Sequence, residues 1–142
     1  MEQTVEELSE QLSDAESSEK PQLLVEALKQ ALGESLRTVA YGDFRQREYN
    51  ILYADPATFE QYSPEDIEEI ADDVKLEEMA AKRQSDLYDP LGDLEMTIRV
   101  FGDGINVIAR ATGEGSTIYI GIDGEKANLF PVMELLEAYT KS

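Results

Sequence analysis

The sequence predicts an α+β fold: a five-stranded, mainly antiparallel sheet with helices, in the order αββαβββα. Two observations carry that prediction. Between residues 94 and 122, apolar residues alternate in three short runs joined by glycine-rich turns, the pattern of a β-meander. Elsewhere the apolar spacing changes to three and four over three separate stretches, and two more alternating runs lie between the first and second of these.

The elements follow in order. Pro21 suits a first helical position, Leu23, Leu24, Ala27, Leu28, Ala31 and Leu32 recur at helical spacing, and Gly33 stops the helix. Residues 36–41 read as a strand, followed by a Gly42-Asp43 turn signal. Residues 48–53 read as a second strand with Tyr49, Ile51 and Tyr53 on one face, closed by Asp55-Pro56. Ser63 is an N-cap, Pro64 fits the first turn, and Glu65 and Asp66 suit the positive end of the helix dipole. Ile67, Ile70, Ala71 and Val74 then share a stripe, which Leu76, Met79 and Ala80 continue on a shifted face until Lys82-Arg83. Residues 84–93, with Pro90 and Gly92, read as a loop.

In the meander, Met96, Ile98 and Val100 share one strand face, and Gly102-Asp103-Gly104 turns the chain. Ile105, Val107, Ala109 and Ala111 share the next face, Gly113-Glu114-Gly115 turns again, and Ile118, Ile120 and Ile122 complete the set. Asn128 is placed to cap a last helix, with Leu129, Val132, Met133, Leu135, Leu136 and Tyr139 on its apolar side. The first and last helices are expected to cover one sheet face, and the middle helix to cross between hairpin and meander. Residues 1–20 are expected to be an acidic, largely flexible tail, with one short helix signal where Thr4 and Glu7 form a capping box ahead of Leu8 and Leu12. Residues 21–142 are expected to be a single α+β domain.

The 142 residues include 31 acidic and 12 basic side chains, a net charge of −19. The acids run from Glu2 to Glu137 and only 7 fall within residues 1–20, so most of the charge belongs to the expected domain. That distribution fits adaptation to a cytoplasm at molar salt, where a Debye length of about 3 Å screens self-repulsion. It makes nucleic acid a poor partner, because phosphate binding needs clustered Lys and Arg. No apolar run approaches the roughly 20 residues of a membrane helix. The acidic start is unlike a secretory signal, so the expectation is a cytoplasmic protein without membrane partners.

There is no Cys and no His. That excludes disulfides, thiolate nucleophiles, His-based triads and His- or Cys-ligated metals. No catalytic, cofactor or metal-ligating residues are assigned, and no cofactor is expected. The glycines lack the Gly-x-x-x-x-Gly-Lys-Ser/Thr phosphate loop and read as hairpin turns. Asp86, Asp89, Asp93 and Glu95 gather in one loop without the spacing of an EF-hand. Arg37, Arg99 and Arg110 stand in predicted strands and are candidate contacts for an anion or partner, or pair with carboxylates on the same face. A sheet covered on one face needs a second cover, and another subunit can supply it. Ile67, Ile70, Val74 and Met79 of the middle helix form a candidate dimer surface.

The segments Gly33-Glu34-Ser35-Leu36-Arg37-Thr38-Val39-Ala40-Tyr41 and Met96-Thr97-Ile98-Arg99-Val100-Phe101 resemble a family of small acidic proteins of unknown function from halophilic archaea, over residues 22–140. The resemblance implies a haloarchaeal source and no activity. The element order is similar to the roadblock fold and, more loosely, to longin, profilin and PAS domains. Roadblock domains usually dimerise and serve as platforms for small GTPases or motor proteins, so that similarity implies an interaction role. The expected function is therefore a non-enzymatic protein-interaction or regulatory module, working as a homodimer. The alternative is a small-ligand sensor with a PAS- or profilin-like pocket between sheet and helices.

Overall fold

A computed structural model describes residues 4–16, 18–110 and 116–140. Five helices, α1 (Val5–Asp14), α2 (Lys20–Leu32), α3 (Pro56–Phe59), α4 (Pro64–Leu87) and α5 (Leu129–Thr140), surround five strands among these residues. The strands are β1 (Leu36–Asp43), β2 (Glu48–Ala54), β3 (Met96–Phe101), β4 (Gly104–Arg110) and β5 (Thr117–Ile122). They form one antiparallel sheet in the order β2-β1-β5-β4-β3. The fold is the α+β class that the alternating runs predict.

Alternation sorts the sheet into two faces. Leu36, Val39, Ile105, Val107, Ala109, Ile118, Ile120 and Ile122 point to the first face and are buried beneath α2 and α5. Leu24 and Leu28 of α2 and Leu135 and Leu136 of α5 are fully buried against them. Each such side chain stabilises the fold by about 1.5–3 kcal/mol relative to exposure.

Within residues 1–20, the short helix signalled by Thr4 and Glu7 forms as α1. Thr4 caps α1 by accepting from the Glu7 N–H at 3.1 Å. Leu8 and Leu12 join the main core, with α1 lying against α5 and α2. Two apolar residues four apart, on one helix face, are enough to dock a segment whose other side is acidic.

The second face is covered in part by α4, contrary to the one-sided expectation. Ala71 and Val74 of α4 pack on Ala40, Phe44 and Ile108, with Tyr49 and Tyr119 beside them. The helix also continues to Leu87, through residues expected to be loop.

Two local departures shape the β1–β2 hairpin. Gly42 lies within β1 rather than in the turn, at φ +145°, and a Cβ there would run into the Glu48 carbonyl and the Tyr49 backbone. The turn itself is a short 3-10 segment, Phe44–Gln46, which Asp43 caps and Arg47 leaves in the left-handed region. A bulge opposite Val39/Ala40 separates Ile51 from Tyr53 in register. Tyr53 therefore packs against the main core, with Lys29 of α2 4.6 Å from its ring centroid, whereas Tyr49 faces α4. The expected common face of Tyr49, Ile51 and Tyr53 is broken by that extra residue. Asn128 does not act as expected either: its side chain donates to Asp123 Oδ1 at 3.0 Å, in a 3-10 turn ahead of α5. Ala111 and the Gly113-Glu114-Gly115 turn lie outside the described residues.

Candidate functional site

The layout of the second face is decided where the chain leaves β2. Asp55 accepts hydrogen bonds from the Thr58 amide and hydroxyl at 3.2 and 2.9 Å, and Pro56 presets the first turn of α3. Ser63 and Asp66 then make a reciprocal capping box, with bonds of 3.1 and 2.9 Å, that starts α4. Small residues at Ala40 and Ala71 let α4 approach the sheet closely. Between α3, the N-terminal part of α4 and the sheet, a cleft of about 660 Å³ opens.

Thr38, Ala40, Ile51, Asn106, Tyr119 and Gly121 line its sheet side, and Phe59, Tyr62, Ile67 and Ile70 its helix side. Arg37, Phe101 and Asp103 contribute from the end near the β3–β4 turn. A polar line crosses the sheet side: Arg99 Nε donates to Asn106 Oδ1 at 2.9 Å, and Asn106 Nδ2 donates to Tyr119 Oη at 3.4 Å. Burial pushes the Tyr119 hydroxyl above the usual phenol range, so it keeps its proton at neutral pH.

The three strand arginines separate. Arg99 is a strut, with Nη1 2.7 Å from Asp73 Oδ2 and 4.0 Å from Glu77 Oε1 of α4. Arg37 stands in a β1 bulge, and its Nη1 donates to the Asp103 carbonyl at 2.8 Å, holding the β3–β4 turn. Both line the cleft. Arg110 does not; it lies beside Glu78 and Thr117 under the later part of α4.

The four candidate dimer residues also separate. Val74 is fully buried against the sheet and is no part of a surface, because its stripe is the one that α4 turns inward. Ile67 and Ile70 line the cleft. Met79 is 51% exposed, with Leu76 at 63% and Leu87 at 61%. Helical spacing aligns these three on one outward stripe. Among the described residues, no group of three or more acidic side chains is placed to hold a metal ion.

Phe59, Tyr62 and Asn106 line the cleft without being singled out by sequence reasoning, and Tyr119 is legible there only as a strand aromatic. Alternation assigns Asn106 and Tyr119 to the second face, but it does not say what covers that face. The Asp55-Pro56-x-Thr58 cap is the available signal for α3.

Sheet, covered face and half-open face together define an α+β protein with a cleft between sheet and crossover helix. Residues 22–141 match the model of a domain of unknown function (DUF7522), and the chain belongs to that family. The helix α1 lies outside the matched stretch. A solved structure with partial likeness is the gliding protein MglB from Thermus thermophilus. It is 15% identical, with a TM-score of 0.42, over 84% of this chain and 90% of that one. No curated protein matches the chain in sequence. No described helix is long and apolar enough to cross a membrane.

Proposed function

We propose that this chain is a non-enzymatic protein-interaction or regulatory module, acting as a homodimer in a cytoplasm at molar salt. The observation that carries this reading is the outward stripe of α4. Singly exposed apolar residues are ordinary, but Leu76, Met79 and Leu87 are aligned on one side of a 24-residue helix. Such a helix is about 36 Å long and offers a self-complementary surface to a second copy related by a twofold axis. Tyr88 and Leu91, just beyond the helix end, are exposed as well.

The charge supports a salt condition on that assembly. Two copies at −19 repel one another in dilute buffer, and a Debye length of about 3 Å at molar salt removes most of that repulsion. Light scattering in molar KCl is expected to give twice the 15.9 kDa chain mass. A Leu76→Glu, Met79→Glu double variant is expected to give the single mass with unchanged circular dichroism. A wild-type particle that stays monomeric at every protein concentration overturns the homodimer.

A further inference from the structure

We propose that the cleft between α3, α4 and the sheet is a binding site for a small, planar organic carboxylate. The inference is independent of the dimer, because the cleft lies on the sheet side of α4 and the apolar stripe on the outer side.

Size is the first argument. A volume of about 660 Å³ falls among small-molecule sites, which run from about 300 to 1,000 Å³. The second argument is how the space is made. The sheet side of the cleft carries short side chains, Thr38 and Ala40, and none at Gly121. Gly121 has no positive φ, and the nearest atoms to a Cβ there would be those of Thr38, at ordinary contact distances of 3.6–3.9 Å. The backbone therefore does not require glycine, and its absent side chain leaves the cleft open.

Chemistry supplies the third argument. Phe59, Tyr62 and Ile67 offer flat and branched apolar surface opposite the sheet. The sheet side offers donors. Tyr119 accepts from Asn106, so its own hydroxyl hydrogen remains available, as does a second Asn106 amide hydrogen. Arg37 uses one N–H on the Asp103 carbonyl and has others to give. Asp73 is already neutralised by Arg99, and the Asp103 carboxylate sits on an exposed turn. What this set of donors lacks is an oxygen acceptor, and a carboxylate is the acceptor that a guanidinium holds best. A planar apolar body joined to one carboxylate satisfies both sides of the cleft.

The test uses the full chain in molar KCl, titrated with 2-naphthoate and followed by ¹H–¹⁵N NMR. The expected result is a saturable shift of the Thr38, Asn106 and Gly121 amides. 2-Naphthylmethylammonium, with the same ring and the opposite charge, is expected to bind at least ten-fold more weakly. Arg37→Gln is expected to weaken 2-naphthoate about ten-fold, as loss of a charge-assisted bond does. Gly121→Val places a strand-compatible side chain in the open space and is expected to abolish binding while leaving circular dichroism unchanged. Absence of a saturable shift overturns the proposal. So does equal binding of the ammonium compound, or a response confined to Leu76, Met79 and Leu87. If Gly121→Val unfolds the chain, Arg37→Gln at the rim still decides: undiminished binding there overturns the carboxylate assignment.

Discussion

Most of the 31 acidic residues face water, but Glu78 of α4 turns inward, and both its carboxylate oxygens are buried beside Thr117. Burial raises its pKa above the ordinary value of 4.5. Asp43 adds to the rise, while the Thr117 hydroxyl, Arg45 and Arg110 oppose it. A carboxyl with a raised folded-state pKa binds more protons folded than unfolded in the window above 4.5. Stability must therefore fall as pH rises through that window, and the loss persists at neutral pH. Glu78→Gln removes the ionisation and nearly keeps the shape. The variant is expected to be more stable than wild type at pH 7, with the difference shrinking as pH falls toward 4.5. Urea midpoints of both proteins across that range measure it. A variant less stable than wild type at pH 7 would show that the charged form of Glu78 is favoured after all.

Among the elements, α1 gives the sharpest contrast between composition and packing. Its sequence is acidic and lies outside the family match, yet Leu8 and Leu12 are almost completely buried against the core. Leu12→Ala is expected to destabilise the protein by about 2–5 kcal/mol, as truncation of a packed leucine does. An effect within about 0.5 kcal/mol, the size seen at open surface positions, would mean that α1 does not hold its place. The same comparison shows which features are legible in the residues. The strands of the meander and the helices α2 and α5 are, because apolar spacing reports directly which side of an element is buried. The bulge that parts Ile51 from Tyr53 is not, because one extra residue in a register leaves no mark on composition. The cleft is legible only in part. Alternation puts Asn106 and Tyr119 on the second face, but the route of α4 over that face depends on contacts far apart in sequence. Val74 reads as surface in the sequence because a helix stripe has no sign for whether a sheet or a second subunit covers it.

For the whole molecule, the charge and the fold meet in the salt response. A core shared by two helical layers and one sheet opposes the mutual repulsion of a −19 surface. Screening decides which wins. Circular dichroism is expected to show loss of compact structure below roughly physiological ionic strength, where the Debye length exceeds about 8 Å. Full structure in dilute buffer would contradict dependence on salt.

The strand order β2-β1-β5-β4-β3 also governs how the chain must assemble as it is made. Strand β1, second from the edge, is finished by residue 43, but its inner neighbour β5, the central strand, begins only at residue 117. While the intervening chain is being synthesised, the β1–β2 hairpin has one side of β1 unpaired and no sheet to close against. An open strand side of that kind is a site for wrong pairing with other chains. The long-range closure that ends this exposure is also the kind of step that makes folding slow. The segments that precede and follow the hairpin are acidic, and like charge on unfinished neighbouring chains opposes their contact.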